Sequence, residues 1–245
     1  MVTGSYHADA RSIEADVDRA LRKLRRTHLD VLLLFWSRSP SRVDPAAYAA
    51  IAHLKRSGKV RALGFSTHHR ELARTAITAS PWDCVMIRHS AAHPGIETEL
   101  LPTARERGTA ILTFSALCYG RMLSGPNAPT PAECYRYSLS QPGVTAVISA
   151  PRRRNEVRDN LSALVQPILD ADRVAALRSH GLGVRAENQR FNTLLRQPTR
   201  DAAAAARALL ATELPPADEM IERPLPRPSA ARPARTGLGK TRTRR

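Results

Sequence analysis

The sequence predicts an α/β protein built on a parallel sheet, and three observations carry that reading. Five short segments are almost continuously apolar: LDVLLLFW from Leu29, VRALGF from Val60, CVMIR from Cys84, AILTFS from Ala110 and VTAVIS from Val144. Strands of that kind are buried on both faces, as in sheets covered by helices. A segment with helical periodicity or helix start and stop residues separates each strand from the next, which is the alternation a parallel sheet needs. No Gly-x-Gly-x-x-Gly turn follows any of the five, so nothing marks a phosphate site of the Rossmann kind. The pattern fits either a doubly wound sheet or part of a barrel, and periodicity does not choose between them.

Each element has a local cause. Ile13, Val17, Ala20, Leu21 and Leu24 recur at helical spacing over residues 12 to 27, with Ser12 placed as N-cap and Asp18 four residues before Arg22. This helix feeds the first apolar strand. Asp44 and Pro45 open the next helix, Ile51 and Leu54 form its apolar face, and Gly58 supplies a left-handed stop. A helix from about His69 to Ala79 precedes CVMIR, and one ending at Gly108 precedes AILTFS. Thr130, Pro131 and Glu133 form a capping box that opens a helix running to about Gln141. Past Gly183 the pattern weakens. Residues 1–183 are therefore expected to form the folded α/β portion, 184–222 a helical extension including the Ala-rich stretch Asp201 to Thr212, and 223–245 a disordered basic tail.

Composition narrows the function classes. A chain of 245 residues is long enough to bury a substantial core. Its longest strongly apolar run, Val31 to Trp36, is far shorter than the ~20 residues of a membrane helix, so no membrane association is expected. Cys84, Cys118 and Cys134 are odd in number and widely spaced, and the N-terminus lacks the pattern of a secretory leader, which points to a reduced cytoplasmic protein. The formal charge is +16, of which eight positive charges and no negative ones fall between Arg223 and Arg245. A solvated tail is the plainer reading of that cluster, and salt-sensitive attachment to nucleic acid the sharper one. His89 and His93 stand four apart, but Pro94 and Gly95 argue against a helix there and no third ligand is evident, so no metal site is expected.

Several motifs in order resemble the aldo-keto reductase family. LDVLLLFW is similar to its D-L-Y-L-I-H-W, and GKVRALGFST, from Gly58 to Thr67, to its G-K-V-R-x-I-G-V-S-N. AILTFSALCYGRML is similar to A-Y-S-P-L-x-x-G-x-L, and VTAVISAPRRRNEVRDNLSAL to V-T-x-V-I-P-G-x-R-x-x-x-x-x-x-E-N-L-x-A-L. The resemblance runs from about Ser12 to Leu182 and implies a partial (β/α)8 TIM barrel, about strands four to eight, with Val2 to Tyr6 as the end of strand three. A barrel cut this way is expected to leave strands four and eight as exposed apolar edges, where self-association is plausible.

The resemblance also implies a cofactor, NADP(H), a small carbonyl substrate, and residues to hold the cofactor. Ser66 and Thr67 match the pair that binds the nicotinamide carboxamide, and Phe114 the aromatic residue that stacks on its ring. Ser115 and Leu117 fall in the pyrophosphate loop; Arg152 matches the residue gripping the ribose 2′-phosphate, and Asn160 the one reaching adenine. A helix opening near Asn155 is expected to add its positive end to the phosphate. Other positions depart from the family. Phe35 stands where the catalytic histidine would be, Thr67 where an asparagine would be, and Met86 where a glutamine would be. The catalytic Asp, Tyr and Lys of the family have no counterpart here, so no catalytic residue is assigned. Tyr6, His7, His28, His68, His69, His89 and His93 are read as loop or surface groups, and Tyr119 as a gate or packing residue. Two further readings stay open: a non-catalytic barrel remnant that binds a nucleotide or partner, and nucleic-acid attachment through the tail.

Overall fold

The structure is a computed structural model that describes residues 1–165 and 168–196. The Ala-rich stretch Asp201 to Thr212 and the basic tail 223–245 lie outside the described residues. Six parallel strands, β1 (Val2–Ser5), β2 (Leu29–Leu34), β3 (Val60–Thr67), β4 (Cys84–Arg88), β5 (Ala110–Phe114) and β6 (Val144–Val147), form one sheet. Between them run α1 (Ala10–Leu24), α2 (Pro45–Arg56), α3 (Arg70–Ala79), α4 (Leu100–Arg107) and α5 (Pro131–Leu139). The spatial order is β1-β2-β3-β4-β5-β6, without reversal. A doubly wound sheet reverses its strand order at a switch point, whereas a barrel adds each strand beside the last. The sheet is thus a partial (β/α)8 barrel.

Val2 to Ser5 pairs with Val31 to Leu34, so the strand expected to be an open edge, Leu29–Leu34, is covered on both sides. The edges among the described strands are β1 and β6. Val2–Tyr6, expected as the end of a strand, forms one over Val2–Ser5 because β2 offers a row of backbone partners alongside it.

Helix signals mostly act as expected. Asp44 caps α2 by accepting from Ala47 N, Pro45 takes the first helical position, and Gly108 closes α4 at φ 67°. Thr130 and Glu133 cap α5 reciprocally. The first helix differs: its N-cap is Asp9, which accepts from Ser12 N at 2.8 Å, and not Ser12. Asp18 also finds another partner, bonding Lys59 at 2.9 Å across α1 and the α2–β3 turn in place of Arg22.

Two cores follow from the pleat. Leu32, Leu34, Leu63, Phe65, Val85, Ile87 and Ile111 point to the helices and pack with Ile13, Val17, Ile51, Leu54, Ile77 and Trp82. The alternate residues face the concave side. There Leu33 and Cys84 meet over Gly64, where a Cβ would lie 2.9 Å from Leu33 Cδ2 and overlap both Cys84 Sγ and the Cys84 carbonyl oxygen. Gly64→Ala should therefore destabilise the sheet by about 1–3 kcal/mol through overpacking, as measured by urea unfolding. An unchanged midpoint would show that β3 and β4 have slack.

The second core joins Ala91, Ala92, Cys118, Met122, Cys134 and Tyr137 to Leu177 and Val184 of α7 (Ala171–Arg196). This helix runs unbroken through residues 183 and 184. Gly181 lets it approach the loop after β4, since a Cβ there would overlap the Ala91 carbonyl. A polar network fastens the same joint. Glu97 accepts from Tyr137 Oη at 2.8 Å, lies 3.0 Å from His89 Nε2, and is bonded by Arg178 Nη2 from α7. His89 is fully buried, with Nδ1 2.9 Å from Ser138 Oγ and its ring stacked on Tyr137. The reading of His89 as a loop or surface group is overturned, because the sequence gives no sign that α5 will pack against it. Burial alone pushes the Glu97 carboxyl up, but the bonds from His89 and Tyr137, with the charges of His89 and Arg178, outweigh it and hold the group below its ordinary value.

Candidate functional site

The strands of a barrel end at one face, and side chains gather there from loops of different origin. Non-glycine residues in left-handed backbone cluster at this face: Trp36 at φ 56° after β2, and Ser115, Cys118 and Tyr119 at φ 61°, 47° and 58° after β5. Such conformations cost on the order of 1 kcal/mol or more each and persist where surrounding structure holds them. The β5 loop is held by Cys118 N donating to Ser115 O at 2.9 Å and by Gly120 N and Met122 N both donating to Leu117 O.

Beside that loop lies a cleft of about 640 Å³. Phe114, Ser115 and Leu117 form one wall and Arg152 and Asn160 the other, so five of the seven residues singled out from the sequence come together. The volume is within the range of small-molecule and cofactor clefts. Tyr135, Ile148 and Pro151 add apolar lining that sequence reading missed. Their contribution depends on α5 and the segment after β6 folding onto the same edge, which no local pattern announces.

The far wall is α6 (Arg154–Leu161) together with the segment just before it. Asn160 donates from Nδ2 to Ser149 Oγ at 2.7 Å, which orients the amide toward the cleft segment Ser149–Pro151. Glu156 turns back along the helix and accepts from Arg152 N at 2.6 Å and Arg153 N at 3.3 Å. Those backbone bonds and the neighbouring arginine charges hold its carboxyl below the ordinary value. The expected gift of the helix's positive end to a phosphate is therefore modified. Glu156 is already an anion at that end, and it could have been suspected from a Glu in the first turn of the helix. Asp159 adds a second carboxylate to the lining.

Ser66 and Thr67 do not line this cleft. Both are buried at the end of β3. Ser66 Oγ accepts from Trp36 N at 2.9 Å and Ser66 O from Ser37 N at 2.8 Å, while Thr67 Oγ1 accepts from His69 N at 3.1 Å. Met86 is in register with Ser66 on β4. Phe35 follows β2, its ring lies over Gly4 and packs against Tyr6 with ring centres 5.4 Å apart. Two aromatic edges, not a loop, surround His68: its ring is 5.2 Å from that of Trp36 and 5.0 Å from that of Phe114. The row Trp36–His68–Phe114 connects the ends of β2, β3 and β5, and reading His68 as a solvated loop residue missed it.

Burial governs two of the thiols. It pushes Cys84 and Cys134 up to about 12, so neither is a thiolate near neutrality. Among the described residues no three His, Cys, Asp or Glu side chains converge as a metal site would require, and no helix is long and apolar enough to cross a membrane.

Comparison with known proteins gives this geometry a lineage. A sequence model described as the Aldo/keto reductase family matches residues 2–133. Over 116 residues the chain is 28% identical to the NADH-specific methylglyoxal reductase of Escherichia coli (strain K12), and over 121 residues 26% identical to the aldo-keto reductase YhdN of Bacillus subtilis (strain 168). The first alignment covers 46% of this chain and the second 49%; each covers 35% of the relative, so the chain matches about a third of the length of these proteins. Among solved structures, the aldo-keto reductase AKR11C1 from Bacillus halodurans in its holo form superposes with a TM-score of 0.62 at 19% identity, covering 75% of this chain and 70% of that one. A crystal structure described as a putative 2,5-diketo-D-gluconic acid reductase B gives 0.61 at 23% identity, covering 73% and 66%.

Proposed function

The chain belongs to the aldo/keto reductase family, and from that premise we propose that it binds a nicotinamide dinucleotide, NADP(H), in the cleft between Phe114 and Asn160. The observation that carries the reading is the convergence of Phe114, Ser115, Leu117, Arg152 and Asn160 on one cleft from two separate loops. Phe114 offers a π-face, the Ser115–Leu117 turn offers backbone donors, and Arg152 offers a forked cation suited to a phosphate. Asn160 presents amide groups for a base. When bound, the cofactor would supply the hydride for reduction of a small carbonyl compound.

The chain's own residues favour holding the adenosine end over running the family's proton transfer. Ser66 and Thr67 have their hydroxyls engaged with Trp36 N and His69 N, so a carboxamide would have to compete for them. Phe35 has no group that moves or donates a proton. A protein that binds the dinucleotide tightly and turns over carbonyls slowly or not at all fits these residues best. Glu156 tempers the 2′-phosphate contact, because its carboxylate lies beside the backbone of Arg152.

Fluorescence titration with NADPH and NADH tests the reading. Saturable binding is expected, and Arg152→Ala should weaken NADPH about tenfold or more while changing NADH less, as loss of a charge-assisted phosphate contact would. Equal losses for both cofactors would take the 2′-phosphate role from Arg152. Absence of binding at millimolar cofactor would sink the proposal. In the same preparation, methylglyoxal should elicit little or no NADPH oxidation above the buffer rate.

A further inference from the structure

Exposed apolar side chains are concentrated in one stretch of the chain. Of the twelve large apolar residues that stand exposed among the described residues, six fall between residues 148 and 168: Ile148, Val157, Leu161, Leu164, Val165 and Ile168. Single exposed apolar residues are ordinary, whereas a cluster of this kind marks a surface that binds something. Beside it runs a groove of about 430 Å³. Ala146 and Val147 of β6, Leu139 of α5, Val157 and Leu161 of α6, and Leu164 of the short turn Ser162–Leu164 line it. Its strand, β6, has β5 on one side and no strand on the other among the described residues. Arg136 of α5 donates from Nη2 to Ser162 O at 3.0 Å, which holds the turn against α5.

The chemistry of the groove selects an occupant. Asn160 and Ser149, two of its polar side chains, are bonded to each other at 2.7 Å and offer little to orient a small polar ligand. Its rim is basic. Arg152, Arg153, Arg154 and Arg158 stand against Glu156 and Asp159, and Glu156 is already engaged by the backbone of Arg152 and Arg153. In a two-fold dimer a second copy would meet this face with the same face and set arginines against arginines. An acidic segment with apolar side chains would be attracted instead. The sequence beyond Arg196 contains one: residues 213–222, ELPPADEMIE, carry Glu213, Asp218, Glu219 and Glu222, no basic residue, and Leu214, Met220 and Ile221. Its flanks differ, since residues 197–212 carry Arg200 and Arg207 against Asp201, and residues 223–245 carry eight basic residues and no acidic one. Fully extended, the chain between Arg196 and Glu213 reaches roughly 55 Å, more than the breadth of a domain of this size.

We propose that residues 213–222, which lie outside the described residues, dock in this groove of their own chain, with Leu214, Met220 and Ile221 against Val157, Leu161 and Leu164 and with their carboxylates toward the α6 arginines. Pro215 and Pro216 lack the N–H that a ladder needs, so the contact rests on side chains and does not add a strand to β6. The groove shares Tyr135, Pro151 and Asn160 with the cofactor cleft, so the docked segment borders that cleft. The docking itself does not depend on the cofactor reading.

Hydrogen–deuterium exchange on the full chain tests the contact. In the triple variant Leu214→Asp, Met220→Asp, Ile221→Asp, amides of residues 144–164 should exchange about tenfold faster or more, while those of β2 and β3 stay as in the wild type. Leu161→Asp, at a side chain already 57% exposed, should do the same from the groove side. Thermal melts identify a variant that fails to fold, and the other then decides. The pair Leu209→Asp, Leu210→Asp should leave the exchange unchanged. A synthetic peptide of residues 213–222 at about 5 mM, on the order of the concentration a tether supplies, should restore protection to the triple variant but not to Leu161→Asp.

Identical exchange in the wild type and the triple variant would overturn the proposal. So would equal loss of protection in the Leu209, Leu210 pair, or a peptide that restores nothing. Protection that grows with protein concentration, accompanied by a dimer in sedimentation, would assign the face to a second copy and overturn it as well. No readout uses NADPH, so failure of the cofactor reading leaves this test standing.

Discussion

Trp82→Ala is expected to lower stability by about 3–5 kcal/mol, the largest single effect in the molecule, and to lower the melting temperature by roughly 10 °C. Trp82 precedes β4 and is almost fully buried. Its ring meets Phe65 and Tyr48 edge-on at 5.2 and 5.1 Å, so one side chain joins β3 to α2. The indole Nε1 also donates to Val43 O at 3.1 Å, fixing the turn before α2. Truncation removes the apolar area, leaves a cavity, and strands a buried carbonyl. Trp82→Phe separates these causes: it keeps much of the ring packing and loses the hydrogen bond, and should cost about 1–2 kcal/mol beyond the difference in ring size. A loss below ~1 kcal/mol for the alanine variant would mean that the core collapses around the site.

Glu97→Ala is expected to cost about 2–3 kcal/mol, because one carboxylate serves His89, Tyr137 and Arg178 together. Its removal leaves His89 Nε2, in a fully buried ring, without its acceptor. Arg178 is half exposed and recovers water, which keeps the cost below that of a wholly buried pair. The pH dependence has a definite sign. The folded-state carboxyl lies below the ordinary glutamate value of 4.5, so the network's contribution is complete above that value and is lost as the pH falls through the lower folded one. Wild-type and Glu97→Gln denaturation midpoints should therefore converge in acid and diverge above about pH 5. A gap that persists unchanged at pH 3 would show that the shape of the side chain, not its charge, matters.

Much of this architecture was legible in the chain. The apolar runs at Leu29, Val60, Cys84, Ala110 and Val144 became β2 to β6, and the caps Asp44, Thr130 and Gly108 work as their chemistry requires. Motif order identified the family because those strings encode both a strand and the turn after it. Phe114, Ser115, Leu117, Arg152 and Asn160 were named one by one, and they meet in one cleft. The misses share a cause. Ser12 lost the cap to Asp9 by a choice between two similar polar residues three positions apart. His89, His68 and Glu156 were read from their sequence neighbours, yet their surroundings come from α5, β5 and the backbone of a preceding loop.

The alternation of strand and helix, the parallel sheet and the family are written in the residues themselves, since periodicity, capping residues and motif order act over a few positions. The choice between a doubly wound sheet and a barrel came from the folded chain, because it lies in which strands neighbour each other. The folded chain alone placed Val2–Ser5 beside β2, packed α5 against His89, and tied α7 to Glu97 through Arg178. Such meetings depend on contacts between residues from 29 to 81 positions apart, and no local pattern of charge or hydrophobicity records them.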